Sequence, residues 1–308
     1  MTKKIVAVLA LSLVSTGAFA SQAKNLVSGG GDAGNILGDT GMNGSFYTND
    51  EYNIFWNPSF INGQKNWAII ENGDDSGSDT SAGFVTAMGG LNVGAFFGRQ
   101  APQGSQAIDV IVGGDMGVKW GVGLTQTLSQ TNSNKASTTT LKAGVQVADF
   151  EPFASFDVKN TANGTDNATN TTVGTRYHYG EWTPYAAYNT SKAAGATDSD
   201  NKWGLGLGRN AKMGEVSMDY ALSYWHTDAG YSVPLNLMLS ADASSWMTVR
   251  VGFAHDIRAS AASPTSTNIG ATFKMGKADL DMVVGNNTAG SFGIDENLFA
   301  NAGLKYSW

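Results

Sequence analysis

The sequence lacks cysteine altogether and contains only 6 prolines in 308 residues. Without cysteine there is no disulfide framework, so the fold must be held by a large core or by a closed hydrogen-bonded sheet. Charged residues are also scarce, at 15% against about 25% in an ordinary soluble domain. Beyond residue 20 there is no run of about 20 apolar residues, which excludes a bundle of membrane-spanning helices.

Glycine and aromatic residues are abundant instead. The chain has 39 glycines, and Phe, Trp and Tyr make up 10% of it. Disordered chains are poor in aromatic residues, so this content indicates a folded protein. Together with the low charge, the glycine content favours an all-β protein with many turns.

The first 20 residues have the pattern of a secretory signal peptide. Lys3 and Lys4 precede a short apolar stretch, and Ala18-Phe19-Ala20 forms a cleavage site with small residues at alternate positions. Loss of the two lysines with residues 1–20 would change the formal net charge from −7 to −9. We therefore expect an exported, acidic chain. We expect no nucleic-acid partner, because binding phosphates requires a basic surface.

From residue 65 onward, segments of about ten residues alternate apolar and polar side chains, which is the period of a β-strand with two different faces. Within residues 117–129 one face carries Val118, Trp120, Val122, Leu124 and Leu128, with Gln126 as its polar exception. The other face of each segment carries mainly glycine, threonine, serine and asparagine. A soluble β-sandwich would place lysine and glutamate there, so the pattern favours a wall between lipid and a polar interior.

The connections between these segments alternate between short turns and longer polar loops. Counting the longer loops predicts about 16 strands, with about 14 as the alternative. We therefore predict a transmembrane antiparallel up-and-down β-barrel over residues 65–308, with short periplasmic turns and longer extracellular loops. Such a barrel would lie in the outer membrane of a Gram-negative bacterium.

The end of the sequence resembles the terminal signal of bacterial outer-membrane β-barrel proteins. That signal has a polar residue, a glycine two positions on, and aromatic or apolar residues at the third-last and last positions. Asn301, Gly303, Tyr306 and Trp308 occupy these positions. The resemblance implies recognition by the barrel-assembly machinery. A barrel of this class would also contact outer-membrane lipid and lipopolysaccharide.

Residues 21–64 have no sustained period and form an irregular N-terminal segment. Within it, residues 50–59 resemble the asparagine-proline segment of the outer-membrane fatty-acid transporter family, although Ser59 replaces the alanine that is usual there. In that family the N-terminal segment plugs the barrel, so the resemblance implies a lumenal plug. A proline-initiated turn that leads into the first strand is the alternative.

The alternation assigns basic and acidic side chains in nearly equal number to the lumenal face. They are Lys119, Lys142, Lys159, Arg176, Arg250, Arg258, Lys274 and Lys305, with Asp109, Asp115, Glu151, Asp157, Asp219, Asp256, Asp279 and Asp281. A wet lumen lined by both signs is typical of a general diffusion pore. In a filled lumen the same charges would have to pair, because burial of an unpaired charge is too costly. A shift of one residue in a strand reverses its assignments.

These features predict a porin-like channel for passive diffusion of small hydrophilic solutes. Two alternatives stay open: a plugged transporter of hydrophobic molecules and a closed structural surface barrel. The position of residues 21–64 discriminates between them, because a segment that fills the lumen and contacts an apolar pocket favours the transporter. Interface strands and lipid-facing strands use the same residue types, so the sequence also leaves a homo-oligomer open.

Catalytic chemistry has little basis in the sequence. The best candidate group is His226-Thr227-Asp228, with Asp74 and Asp75 on another loop. The chain has only 3 histidines and no cysteine, and no serine lies in a nucleophile elbow. We expect no enzymatic activity, no cofactor and no metal site.

Overall fold

The computed structural model describes residues 22–28, 44–73, 80–101, 105–131, 134–162, 165–166, 168–193, 195–259, 264–289 and 298–308. The predicted signal peptide, residues 1–20, lies outside these ranges, as do residues 21 and 29–43 of the N-terminal segment. None of the helices within the described ranges is long and apolar enough to cross a membrane.

Three short helices precede the strands. They are α1 (Gln22–Val27) and the 3₁₀ helices η1 (Glu51–Phe55) and η2 (Pro58–Gly63). Asp50 caps η1, because its carboxylate accepts a hydrogen bond of 2.7 Å from the backbone N–H of Tyr52. Asn57 caps η2 in the same way through the backbone N–H of Ser59 at 3.1 Å.

The rest of the described chain is almost entirely strand. The strands are β1 (Trp67–Gly73), β2 (Thr80–Met88), β3 (Leu91–Ala101), β4 (Ser105–Asp115), β5 (Lys119–Thr131), β6 (Asn134–Gln146), β7 (Phe150–Ala162), β8 (Thr165–Asp166), β9 (Thr169–Tyr177), β10 (Trp182–Lys192), β11 (Asp200–Met213), β12 (Val216–Thr227), β13 (Gly230–Ser244), β14 (Met247–Ala259), β15 (Pro264–Met275), β16 (Ala278–Ala289) and β17 (Leu298–Ser307).

The strands form one closed antiparallel barrel. Each strand pairs with its neighbours in chain order, except that β7 pairs directly with β9 and the two-residue β8 lies beside β7. The last strand closes on the first, from Trp67 opposite Ser307 to Gly73 opposite Asn301. The barrel therefore has 16 strands, which confirms the predicted fold class. Closure leaves no free sheet edge.

The two faces of the wall differ as the alternation predicts. In β11 the side chains of Leu205 and Leu207 are exposed on the outside, whereas Gly204, Gly206 and Gly208 lie on the inside. Aliphatic side chains are exposed in the same way on most other strands. A barrel with an apolar outer face is stable only in lipid. The chain is therefore an outer-membrane β-barrel protein.

The short turns lie together at one rim of the barrel, which we call the short-turn rim. The long connections lie at the opposite end, the long-loop rim. Gly117 and Gly276 occupy two of the short turns with φ of 87° and 73°, in the left-handed region that favours glycine. Trp182, Trp246 and Trp308 are exposed at the same rim. Tryptophan prefers the membrane surface, so this rim lies at one surface of the bilayer.

Lys159 does not face the lumen as the alternation predicts. A register shift between β6 and β7 pairs Asp157 with Thr140 but Lys159 with Thr139. Val158 is the extra residue of this β-bulge, and a bulge moves the side chains that follow it to the other face. The lumenal assignment of Lys159 is therefore wrong: the side chain is exposed on the outer face.

Arg258 is turned outward by a second bulge. Asp256 pairs with Pro234, whereas Arg258 pairs with Val233, which belongs to the outward series of β13. Ile257 is the extra residue here. The lumenal assignment of Arg258 is therefore also wrong, for the same physical reason.

A third bulge, in β3, has the opposite result. Phe97 pairs with Ile108 and Arg99 pairs with Ala107, so Gly98 is the extra residue. Gly98 has a φ of 70°. The bulge turns the guanidinium of Arg99 into the lumen, where sequence alternation does not place it.

We expect Gly98→Ala to destabilise the folded barrel by about 1–2 kcal/mol. An alanine Cβ would lie 2.6 Å from the carbonyl oxygen of Thr80, and the backbone conformation is unfavourable for any L-residue with a side chain. Urea unfolding of the purified barrel in lipid measures the effect. Gly63→Ala is the matched control, because no atom lies within 4 Å of the added Cβ. Equal unfolding midpoints for the two variants would contradict this interpretation of the bulge.

Candidate functional site: the filled lumen

Two described parts of the N-terminal segment lie inside the barrel. Residues 22–28 and 44–64 are together called the lumenal segment. Its helix α1 contacts strands β14 to β17, and its helix η2 contacts strands β3 to β6. The segment therefore reaches two different parts of the lumenal wall.

The backbone of the lumenal segment lies directly against glycines of the wall. A Cβ added at Gly121 would collide with the carbonyl group of Pro58, and one added at Gly252 would collide with the carbonyl group of Val27. These contacts involve backbone atoms, which cannot move aside as a flexible side chain can. Glycine is therefore required on the wall where the segment docks.

Aromatic side chains of the lumenal segment pack against aromatic side chains of the wall. The ring centroids of Phe46 and Trp56 are 5.0 Å apart, and both rings contact Phe153, at 5.7 Å and 4.9 Å. Tyr185 and Trp225 of the wall also belong to this cluster. The side chains are almost fully buried, and burial of each contributes about 2 kcal/mol.

A second cluster joins η1 and η2 to the first strands of the barrel. Ile54, Phe55 and Ile61 pack with Val85 and Phe96 of the wall. The rings of Phe55 and Phe96 meet edge to face with their centroids 4.9 Å apart. Helices η1 and η2 therefore pack against the lumenal wall.

Helix α1 is held by a smaller cluster on another part of the wall. Val27 packs with Met238 and Val283. The side-chain amide of Asn268 donates a hydrogen bond of 2.8 Å to the backbone carbonyl of Leu26. This bond satisfies one of the carbonyl groups at the helix end, which have no partner within the helix.

Arg176 of the wall contacts the lumenal segment at several points, and its side chain is 1% exposed. Its guanidinium forms an ion pair with Glu151. It also donates hydrogen bonds to the backbone carbonyl of Thr48 at 3.0 Å and to the side-chain oxygen of Asn49 at 2.8 Å. Its planar group lies 4.7 Å from the ring centroid of Phe60. One cation therefore joins the wall to two parts of the segment.

A second buried ion pair has its acid on the segment and its base on the last strand. The ammonium of Lys305 donates to both carboxylate oxygens of Glu51, at 2.5 Å and 2.7 Å. Burial raises the pKa of Glu51 to about 7 and that of Asp50 to about 6, although the ammonium groups of Lys305 and Lys24 oppose the rise. Docking therefore takes up protons, and it becomes less favourable as the pH rises through this range.

Other lumenal charges pair within the wall. Arg99 donates to Asp109 at 2.8 Å, and the ammonium of Lys142 lies 4.0 Å from the same carboxylate. Arg250 lies 3.8 Å from Asp281. Several of the charges on the described lumenal wall therefore have partners of opposite sign.

Apart from Lys159 and Arg258, the structure places the sequence-predicted charges on the lumenal face. On the wall itself are Lys142, Arg176, Arg250, Lys274, Lys305, Asp109, Glu151, Asp157, Asp219, Asp256, Asp279 and Asp281. Lys119 and Asp115 face each other at the short-turn rim and are exposed.

Sequence reasoning missed Glu71, a buried carboxylate that accepts a hydrogen bond from the hydroxyl of Tyr52. Its inward neighbours on β1 are apolar, so the amino-acid composition of this face is that of a lipid-facing one.

Of the residues considered for catalysis, the structure describes His226, Thr227 and Asp228. His226 lies beside Trp203, with ring centroids 5.5 Å apart, and Asp228 accepts a hydrogen bond from the backbone of Asn201 at 2.9 Å. Asp74 and Asp75 lie outside the described residues. Within the described part of the chain, no three His, Asp or Glu side chains come close enough to hold a metal ion.

Comparison with known proteins yields structural matches only. No family model and no curated protein matches this chain. A bacterial polysaccharide outer membrane secretin aligns with a TM-score of 0.55 at 9% identity, over 79% of this chain and 98% of that one. A porin aligns with a TM-score of 0.50 at 15% identity, over the same shares of the two chains. CdiB from Acinetobacter baumannii aligns with a TM-score of 0.50 at 7% identity, and this chain spans 59% of its length. At these identities the similarity shows the fold alone.

We expect Arg176→Ala to weaken docking of the lumenal segment by about 3–5 kcal/mol, because it removes the hydrogen bonds to Thr48 and Asn49 and leaves the buried Glu151 with His178 alone as a basic partner. Amide hydrogen exchange across residues 44–64 measures the loss of protection. The matched control is Arg209→Ala, which removes an Arg–Glu pair of 2.8 Å at the exposed rim and should change protection very little. Equal exchange in both variants would show that Arg176 does not hold the segment.

Proposed function

We propose that the protein is a porin-like passage for small hydrophilic solutes that the lumenal segment occludes while it is docked. The main support is the chemistry of the lumenal wall between the segment and the long-loop rim. The lumenal positions in this region include Thr127, Thr138, Thr140, Asp157, Asn170 and Asn189. A wall of hydroxyl, amide and carboxylate groups holds water and favours hydrophilic solutes.

The docked segment argues against an unobstructed pore. A barrel of about 16 strands leaves an aqueous channel when nothing fills it. Here the segment contributes Phe46, Ile54 and Trp56, each about 1% exposed, to the interior of the barrel. Passage of a solute then depends on displacement of the segment or on a gap beside it.

The apolar contacts of the lumen also argue against a hydrophobic cargo. Phe96, Phe153, Trp225 and Met238 each belong to a cluster that contains residues of the lumenal segment. Among the side chains that the structure describes, the large apolar ones on the lumenal face are all covered in this way. A site for a hydrophobic molecule needs apolar surface of its own. The transporter of hydrophobic molecules therefore has less support than the hydrophilic passage.

We expect the full-length protein to show little conductance in planar lipid bilayers, and Gly121→Ala to show several-fold more. The added methyl group collides with the backbone of η2 at Pro58 and so displaces the segment from the wall. Without its filling, a barrel of about 16 strands conducts as a water-filled channel. Single-channel recording measures the change, and limited proteolysis reports whether the segment has moved.

Gly123→Ala is the matched control for this experiment. Gly123 lies on the same strand and face, but its added Cβ would be 3.4 Å from the Cγ of Pro58, an ordinary contact. It should behave as the unaltered protein does. A Gly121→Ala barrel that is silent although its segment is cleaved would contradict the passage and favour the closed structural barrel. An unaltered protein that already conducts fully would contradict occlusion.

A further inference from the structure

Two similar doublets face outward near the long-loop rim, on strands that are not neighbours. In β7 the doublet is Val158-Lys159, and in β14 it is Ile257-Arg258. Each has a branched apolar residue followed by a cation, and each follows an aspartate. Val158 is 54% exposed and Ile257 is 56% exposed, and both cations are exposed as well.

The bulges are what turn the doublets outward. In a regular strand, residues two apart share a face, so each cation would point into the lumen beside the aspartate that precedes the doublet. The extra residue in each strand leaves the aspartate on the lumenal face and moves the cation to the lipid side. In both strands the bulge therefore places the aspartate and the cation on opposite faces of the wall.

The height of the two cations on the barrel matches the membrane surface at the long-loop rim, which is the outer leaflet in the predicted orientation. A strand that rises about 3.3 Å per residue and tilts by about 40° climbs roughly 2.5 Å through the membrane per residue. Lys159 therefore stands roughly 23 Å above Phe150, and Arg258 roughly 28 Å above Met247, at the start of their strands. The apolar band of a barrel is about 25 Å tall, so both cations lie where lipid headgroups begin.

The two cations differ from those of the lumen in their partners. In the lumen, Arg176, Arg250 and Lys305 each have a carboxylate within 4 Å. Within the described residues, neither Lys159 nor Arg258 forms an ion pair. The guanidinium of Arg258 lies 5.7 Å from the ring centroid of Tyr231, an arrangement that leaves its N–H groups open to an anion.

We propose that the doublets Val158-Lys159 and Ile257-Arg258 bind the phosphate groups of anionic lipid headgroups in the outer leaflet. The cation contacts the phosphate, with a forked pair of hydrogen bonds in the case of arginine. The branched side chain beside it lies against the upper part of the acyl chains. Each doublet thus has a cation for the headgroup region and an apolar side chain for the acyl-chain region.

The test measures binding of diphosphorylated lipid A to the full-length protein in detergent, by native mass spectrometry. Dephosphorylated lipid A is the comparison ligand. We expect the unaltered protein to prefer the phosphorylated lipid by roughly tenfold. The double variant Lys159→Gln/Arg258→Gln should lose that preference, and Lys159→Arg/Arg258→Lys should keep it. The heat-induced shift of a folded barrel on a gel verifies that each variant is folded.

The double variant Lys119→Gln/Lys277→Gln is the matched control, since it removes the same charge from exposed positions at the short-turn rim. It should bind as the unaltered protein does. An undiminished preference in Lys159→Gln/Arg258→Gln would overturn the proposal, and so would an equal loss in the control. Millimolar inorganic phosphate tests a soluble anion, and displacement of the lipid by it would overturn the assignment to a headgroup.

Discussion

Every side chain on a strand of a closed membrane barrel faces either the lipid or the lumen, and the rest of this structure depends on that constraint. The lumen also has to accommodate the lumenal segment. Where the backbone of the segment meets the wall, the inward residue must be glycine, as at Gly121 and Gly252. Where its side chains meet the wall, the inward residues are aromatic or aliphatic, as at Phe153 and Phe96. The residue types on the inner face therefore depend on which part of the lumenal segment docks against them.

Buried charge gives the docked segment a defined position. Transfer of an ion out of water is costly, and the cost is offset only when partners meet with good geometry. Arg176 reaches its carboxylate and the segment together only when residues 48 and 49 lie beside it, and Lys305 reaches Glu51 only when η1 lies beside β17. The apolar clusters favour docking in general, because apolar burial has no direction. The hydrogen bonds from Arg176 to the segment and the Lys305–Glu51 ion pair select one arrangement among those that the clusters would tolerate.

Much of the barrel could be predicted from the sequence, because alternation with a period of two is a local property of each strand. Alternation assigns Lys159, Arg258 and Arg99 to the wrong face of the wall. In each case a bulge adds one residue to the strand, and the β-forming sequence continues through it without interruption. Gly98 carries the one visible signal, since a glycine inside a strand marks a bulge or a close approach. Glu71 was missed because an inner face that packs on an apolar plug has the composition of a lipid-facing one. The docking contacts could not be predicted, since they depend on complementarity between residues far apart in the chain.

The junction between the lumenal segment and the wall connects closure of the barrel with occlusion of its lumen. Asn66, between η2 and β1, accepts a hydrogen bond from the backbone of Trp308 at 3.1 Å and, through its side chain, one from the backbone of Ala87 at 2.9 Å. It therefore contacts the chain at the end of the last strand and near the end of the second, where the barrel closes. Only residues 64 and 65 separate η2 from this fixed point, so an undocked η2 stays close to its site at a high effective concentration. Redocking is then an intramolecular step, and the occluded state can re-form without disturbance of the wall.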